Sequence, residues 1–252
     1  MTRLVLVHGF TGSPASFDEL LSYLGPRAPG LRVFRPPLLG HGAGPEPVPP
    51  RFDREVDRLA RAIRGAGFAG AHLCGYSLGA RLALGLLARH AVLFSGATLI
   101  GVHPGLPSEA ERAARVGGDE RWCQLLAQQG TTGFLRTWEA QALFATQRAL
   151  PAARLERQRA IRHGHTADGL QQCLRALGLG RMPDLRGVLR MQPLRVELLV
   201  GALDAKFTAL GQQLAATAPV RLERVEGAGH NLPLEAPEQL ARVLLRALEV
   251  RA

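Results

Sequence analysis

Short apolar runs alternate with stretches of helical periodicity towards both ends of the chain. The runs predict strands at residues 3–7, 31–34, 71–74, 97–102, 193–200 and 220–225. Apolar residues spaced three and four apart predict helices at residues 15–24, 52–64, 78–89, 206–216 and 236–250. Strands that alternate with helices favour a mostly parallel sheet with helices on both faces. We therefore predict an α/β fold.

Residues 103–192 do not share this alternation. They have helical patterns and many arginines, with no strand-like run. We expect a core made of residues 1–102 and 193–252, and an inserted helical cap made of residues 103–192. The cap would cover the carboxyl ends of the strands, where open α/β sheets bind ligands. Residues 36–50, rich in proline and glycine, are expected to be irregular.

The composition is that of an ordinary globular protein, because 46% of the 252 residues are apolar and 21% are charged. No apolar run approaches the roughly 18 residues that cross a bilayer, and residues 4–7 are too short a run for a signal peptide. We therefore expect a cytoplasmic protein with no membrane partner. Three cysteines without CxxC spacing favour buried thiols over disulfides or a metal site.

The net charge of +10 would suit either a nucleic acid or an anionic small molecule as partner. Scattered arginines and an aromatic content of only 5% argue against nucleic acid. Lys206 is the only lysine among 31 basic residues. Either a tight site needs its compact ammonium group, or it has survived by chance on a solvated loop.

The segment around Ser77 carries the strongest chemical signal. A predicted strand leads into Gly75-Tyr76-Ser77-Leu78-Gly79, and a predicted helix follows. This is the nucleophile-elbow pattern, in which a strained turn presents a serine hydroxyl beside free amides at a helix N-terminus. The competing interpretation is a tight turn that contains an incidental serine.

A serine hydroxyl needs a base, and the base needs an acid to orient it. His230 follows the last predicted strand in a glycine-rich loop, and Asp204 follows the strand before that. The chain order Ser77, Asp204, His230 is the order expected after such an elbow. Asp168 and Asp184 are weaker candidates because they lie in the predicted cap.

An oxyanion hole needs two amide donors directed at developing negative charge. We assign them to Leu78, directly after the serine, and to Phe10, in the loop after the first predicted strand. His8 and His41 each stand beside glycines, and we expect them to shape their loops rather than to act as bases.

These residues resemble the α/β-hydrolase superfamily over nearly the whole chain. Within it, the sequence resembles the 2-succinyl-6-hydroxy-2,4-cyclohexadiene-1-carboxylate (SHCHC) synthases of menaquinone biosynthesis. The elbow is common to many hydrolases, whereas the segments in the predicted cap and after the acid are specific. The matching segments are Gly75–Arg81, His103–Leu106, Glu111–Arg115, Asp119, Trp122, Trp138, Phe144–Ala145, Arg162, Asp204–Phe207 and Gly229–Asn231.

The resemblance implies an α/β-hydrolase fold that carries a lyase activity. Members of the family eliminate pyruvate from 2-succinyl-5-enolpyruvyl-6-hydroxy-3-cyclohexene-1-carboxylate, a tricarboxylate, without a cofactor. The resemblance further implies that Ser77, deprotonated by His230 with Asp204, acts as the base on a substrate carbon.

Substrate-binding residues also follow from the resemblance. Arginine pairs well with carboxylates, and the residues concerned are the cations Arg81, Arg115, Arg162 and Lys206 and the apolar walls Tyr76, Trp138 and Phe144. Without the resemblance, a solvated helix face is the more ordinary interpretation of a single cap arginine. Glu139 adds an acid that fits poorly beside a pocket for anions, unless it points outward.

Two alternatives stay open. A carboxylester or thioester hydrolase would use the same three residues with Ser77 as the nucleophile. A binding protein built on the fold would need none of them. Accumulation of an acyl-enzyme would favour the hydrolase, and biological activity that survives Ser77→Ala would favour the binding protein.

Overall fold

The computed structural model describes residues 2–42 and 51–249. Its strands are β1 (Arg3–Val7), β2 (Arg32–Phe34), β3 (Ala71–Tyr76), β4 (Phe94–Ile100), β5 (Val196–Gly201) and β6 (Arg221–Val225). They form one six-stranded sheet in the order β2-β1-β3-β4-β5-β6, and every neighbouring pair is parallel. All the strands therefore end at the same edge.

Helices cover both faces of this sheet, which confirms the predicted architecture. The helices are α1 (Asp18–Leu24), α2 (Phe52–Gly65), α3 (Leu78–His90), α4 (Glu109–Glu139), α5 (Ala152–His163), α6 (Ala167–Leu177), α7 (Arg186–Met191), α8 (Ala205–Thr217), α9 (Leu232–Glu235) and α10 (Pro237–Glu249). Helices α1, α9 and α10 bury apolar side chains on one face, and α2, α3 and α8 bury theirs on the other. Within the described part of the chain, no helix combines the length and apolar character needed to cross a membrane.

Several predicted boundaries were wrong by two to three residues, for local reasons. The last strand before the acid begins at Val196 rather than at Pro193, since proline has no N–H to donate to a neighbouring strand. Strand β4 ends at Ile100 because Gly101 takes a positive φ of 57°. The first predicted helix begins with a 3₁₀ turn at Pro14–Phe17 before α1.

Residues 103–192 fold into helices and contain no strand, as their sequence pattern predicted. Helix α4 is broken at Gly130, whose φ of 63° and ψ of −173° divide it into two arms. Both arms pack with α6 around a small apolar cluster that includes Cys123 and Phe134. We call residues 103–192 the insertion, and its role as a cap stays a prediction. Residues 36–42 are irregular as expected, whereas residues 43–50 of the same predicted segment lie outside the described residues.

Candidate active site

Ser77 forms a strained turn between β3 and α3. Its φ of 53° and ψ of −108° belong to a sparsely populated region, which typically costs about 1–3 kcal/mol. The Ser77 N–H donates to the Ile100 carbonyl at 2.8 Å, which anchors the turn to β4. Gly79 lets α3 approach β1 closely, because a Cβ at this position would overlap the carbonyl oxygen of Val7. The local sequence thus folds as the elbow pattern predicted.

Ser77, His230 and Asp204 form a continuous hydrogen-bonded chain. The Nε2 atom of His230 lies 3.1 Å from Ser77 Oγ, and its Nδ1 atom lies 2.7 Å from Asp204 Oδ2. The other carboxylate oxygen of Asp204 accepts the Phe207 N–H at 3.1 Å. Because both carboxylate oxygens are held, the imidazole ring is oriented with Nε2 towards the hydroxyl. This arrangement can move a proton from serine to histidine.

Phe10 and Leu78 lie beside Ser77 at the carboxyl edge of the sheet. Leu78 is the first residue of α3, and the first amides of a helix have no acceptor within it. Phe10 belongs to a turn after β1 that is closed by a 3.0 Å bond from Gly12 N–H to the Gly9 carbonyl. Both residues line the same cavity as the serine. Their role as oxyanion-hole donors stays a prediction.

A cavity of 970 Å³ opens over Ser77 and His230. Loops of the sheet form one wall, and helices α4, α5 and α6 of the insertion contribute the other. The residues that the sequence assigned to substrate binding all line it, namely Tyr76, Arg81, Arg115, Trp138, Phe144, Arg162 and Lys206. The structure therefore brings them together, although binding itself stays a prediction.

Each arginine in this set has a protein partner that the sequence did not reveal. The contacts run from Arg81 Nη1 to the Leu177 carbonyl at 2.6 Å, from Arg115 Nε to Asp119 Oδ1 at 2.9 Å, and from Arg162 Nη1 to Glu139 Oε1 at 2.6 Å. A guanidinium has five N–H donors, so these contacts fix its position and leave donors for a ligand. Glu139, which fitted poorly as a free acid, holds Arg162 in place.

Burial and neighbouring cations shape the charge of the cavity. Burial, reinforced by Arg115, lowers the pKa of Arg81 to about 10, so Arg81 stays charged at neutral pH. Burial, followed by the charge of Lys206, lowers the pKa of His103 to about 4, so His103 is neutral. Burial raises the pKa of Asp119, although Arg115 opposes this shift. A cavity of this kind favours bound anions.

Aromatic rings form the apolar part of the cavity wall. The ring centroid of Trp138 lies 5.2 Å from that of Phe10 and 5.9 Å from that of Phe144. Arg162 lies over the Phe144 ring, with its guanidinium carbon 5.4 Å from the centroid. The buried Nε1 of Trp138 has no hydrogen-bond partner among the described residues, which leaves one N–H donor of this wall unused.

Comparison with known proteins places the chain in a family. A family model described as "Alpha/beta hydrolase family" matches residues 4–243. The chain belongs to the alpha/beta hydrolase family. A relative from Enterobacter sp. (strain 638), named 2-succinyl-6-hydroxy-2,4-cyclohexadiene-1-carboxylate synthase, is 30% identical over 248 residues, which cover 98% of this chain and 92% of the relative. A synthase of the same name from Salmonella agona (strain SL483) is 32% identical, with 96% of this chain and 93% of the relative covered.

Solved structures agree with this assignment. The structure of MenH from S. aureus matches this alpha/beta hydrolase with a TM-score of 0.92 at 25% identity, covering 99% of this chain and 94% of that one. A thermophilic esterase from Thermogutta terrifontis matches with a TM-score of 0.78 at 22% identity, covering 99% and 90%, and this likeness shows the fold alone. The predicted α/β-hydrolase fold is confirmed.

Sequence reasoning missed Glu235, which holds the histidine loop of this alpha/beta hydrolase. Glu235 Oε2 accepts the Gly229 N–H at 2.7 Å, and Oε1 accepts the Asn231 N–H at 2.9 Å. One carboxylate therefore fixes the backbone on both sides of His230. The available signal was an acid five residues after the histidine. His103 had no assigned role either, although its place just after a predicted strand could have located it at the sheet edge.

Proposed function

We propose that this chain is an SHCHC synthase, a lyase that eliminates pyruvate from 2-succinyl-5-enolpyruvyl-6-hydroxy-3-cyclohexene-1-carboxylate. The observation that carries the proposal is the hydrogen-bonded chain of Ser77, His230 and Asp204 at one wall of a cation-lined cavity. Relatives with this name, 30% and 32% identical over nearly the whole chain, support it.

In the proposed reaction, His230, oriented by Asp204, takes the proton from Ser77 Oγ. The serine oxygen then removes a proton from the ring carbon next to the succinyl carbonyl, and the electron pair forms an enolate. Its collapse shifts the ring double bond, creates the conjugated diene and breaks the C–O bond to the enolpyruvyl group. Pyruvate leaves as its enolate and takes up the proton that His230 had received, which returns the site to its starting state. Atoms and electrons balance without a cofactor.

The surrounding groups would lower the barrier of this reaction in two ways. The amides of Phe10 and Leu78 would donate to the enolate oxygen, where removal of one such donor typically costs about 10²–10³ in rate. Arg81, Arg115 and Arg162 would hold the substrate carboxylates by charge-assisted hydrogen bonds. In this proposal the insertion is the cap that selects the substrate.

The test is to mix the purified protein with the enolpyruvyl cyclohexene substrate and follow pyruvate by a coupled dehydrogenase assay. We expect rapid release of pyruvate by the wild type. Ser77→Ala should lower kcat by several orders of magnitude, because members of such a hydrogen-bonded set act as a unit. Ser22→Ala, at an exposed position in α1, is the matched control and should keep the wild-type rate.

A carboxylester or thioester hydrolase is the alternative that the geometry also allows. The same three side chains suit a nucleophilic Ser77, and an esterase shares the fold. Activated esters combined with mass spectrometry distinguish the two functions. If an acyl group accumulates on Ser77 and no pyruvate is released, the protein is a hydrolase and the proposed lyase function is wrong.

Three finer expectations from the sequence belong to this proposal. The net charge of +10 serves an anionic small molecule rather than a nucleic acid. The reaction needs no resident metal or cofactor. The enzyme works in the cytoplasm.

A further inference from the structure

Three buried imidazoles connect the end of β1 to the insertion. The ring centroids of His8 and His41 are 5.0 Å apart, and those of His41 and His165 are also 5.0 Å apart, both pairs edge to face. His8 is fully buried, and His41 and His165 are only 7% and 6% exposed. Three neighbouring histidines in an interior position call for an explanation, because none of them touches Ser77 or His230 in the hydrogen-bonded chain described above.

Backbone contacts fix the protonation of two of these rings. The Thr11 N–H donates to His41 Nε2 at 3.1 Å, so the His41 proton is on Nδ1, which donates to the Leu39 carbonyl at 3.0 Å. The Gly42 N–H donates to His165 Nδ1 at 3.1 Å, so the His165 proton is on Nε2, which donates to the Thr11 carbonyl at 3.1 Å. An amide can only donate and a carbonyl can only accept. Each ring therefore carries one proton and is neutral.

Thr11 is the residue that both rings hold. His41 Nε2 accepts its N–H, and His165 Nε2–H donates to its carbonyl oxygen. Thr11 also has a φ of 61°, in the left-handed region that a β-branched residue rarely adopts. Such a conformation persists only when surrounding contacts impose it. The Thr11 N–H belongs to the peptide group that joins Phe10 to Thr11. These contacts therefore also constrain the backbone of Phe10.

The two rings come from different parts of the chain. His41 lies in the irregular segment after β2, outside the insertion. His165 lies in the insertion, just before α6, and its carbonyl accepts the Thr131 hydroxyl of α4 at 3.1 Å. The bridge through Thr11 and Gly42 therefore ties the loop after β1 to the insertion.

We propose that His41 and His165 are positioning residues that hold the Phe10 amide in place, and that they do so only while both imidazoles are neutral. The proposal rests on the proposed role of Phe10 in the reaction. A second proton on His165 would put an N–H against the Gly42 N–H, and a second proton on His41 would do the same against the Thr11 N–H. Either event would replace one hydrogen bond of the bridge by two opposed N–H groups, so acid would weaken the bridge.

The surroundings keep the rings neutral at ordinary pH. Burial lowers the pKa of His41 well below its usual value, and the positive charge that His8 or His165 would carry lowers it further. Burial also lowers the pKa of His165, although its backbone hydrogen bonds oppose the shift. Among residues 2–42 and 51–249, the titratable groups that bear on these rings are the imidazoles of the set themselves.

Two substitutions separate the two hydrogen bonds of His165. Glutamine places its side-chain amide near the position of Nε2 and can still donate to the Thr11 carbonyl. Asparagine reaches only the position of Nδ1, so it can accept the Gly42 N–H but cannot donate to Thr11. We expect His165→Asn to lower kcat about tenfold or more with little change in KM, and His165→Gln to recover most of the rate. His163→Asn, at an exposed position two residues earlier, is the matched control.

Two further measurements do not depend on the proposed substrate. The first is the rate at which a fluorophosphonate labels Ser77, since its transition state also places an oxyanion beside Phe10; it should fall with His165→Asn and recover with His165→Gln. The second is long-range ¹H–¹⁵N NMR of the wild type, which should find His41 protonated on Nδ1 and His165 on Nε2 at pH 7. A doubly protonated ring, or equal labelling of folded Asn and Gln variants, would overturn the proposal even if pyruvate is never released.

Discussion

Glu139 forms a salt bridge at 2.6 Å with Arg162, which lines the cavity that is proposed to bind a tricarboxylate. The Arg162 side chain is only 6% exposed, whereas that of Glu139 is 29% exposed. The carboxylate therefore neutralises part of a buried positive charge before any ligand arrives. A substrate carboxylate has to share Arg162 with Glu139 or displace it.

Glu139→Gln should bind the substrate more tightly and fold less stably. Without the carboxylate, the charge of Arg162 acts fully on the ligand, so KM should fall several-fold. The same change leaves a buried guanidinium less well paired, which lowers the free energy of unfolding by about 1–3 kcal/mol. Steady-state kinetics and urea unfolding measure the two effects. An unchanged KM in a folded variant would mean that Arg162 does not meet the substrate.

Glu235→Gln should lower kcat and leave KM almost unchanged. Its amide group can accept only one of the two N–H bonds that flank His230, because its NH₂ would face the other N–H. A looser histidine loop places Nε2 less accurately against the serine, and we expect a loss of about tenfold. Glu226→Gln, at an exposed position before the same loop, should behave as wild type. A KM that rises as much as kcat falls would contradict the positioning role.

Gly79→Ala should destabilise the protein severely. An added Cβ would overlap the Val7 carbonyl oxygen. Val7 belongs to β1 and Gly79 to α3, so neither backbone can move away easily. We expect a loss of more than about 3 kcal/mol, seen as a lower Tm and as poor yield of folded protein. Gly65→Ala lies at the end of α2, where the added Cβ meets nothing within 4 Å beyond its chain neighbours and the backbone of its own helix, and it should change Tm by at most a few degrees.

Stability should fall as the pH drops from about 6.5 to 4. Burial lowers the pKa of His8 from 6.5 to about 4, so the unfolded state takes up a proton in this range before the folded state does. Linkage then makes unfolding more favourable at lower pH, by about 3 kcal/mol at pH 4 for His8 alone. Urea unfolding at several pH values measures the slope. His163→Gln, which removes an exposed histidine, should leave the slope unchanged.

The sequence predicted the order of strands and helices because each element carries its own apolar period. It also located Ser77, Asp204 and His230, because parallel strands end at one edge and short loops keep those residues there. It could not predict contacts that depend on the shape of the folded insertion. Arg81 meets a carbonyl 96 residues away, and His165 meets one 154 residues away, and no local pattern encodes such distances.

The boundaries of the strands also depend on contacts with other segments, which a local sequence pattern does not predict. The apolar run at residues 193–200 looked like one strand, but pairing with β4 begins only where Val196 stands opposite Ala97. A strand ends where the adjacent strand no longer provides hydrogen-bond partners, and the hydrophobic pattern of a single segment does not predict that position.

The loops of the sheet and the helices of the insertion contribute different side chains to the cavity region. Ser77, His230 and Asp204 stand on loops of the sheet, whereas Arg115 and Arg162 belong to helices of the insertion. Substitutions in α4 and α5 can therefore reshape one wall of the cavity without altering the loops that carry Ser77, Asp204 and His230.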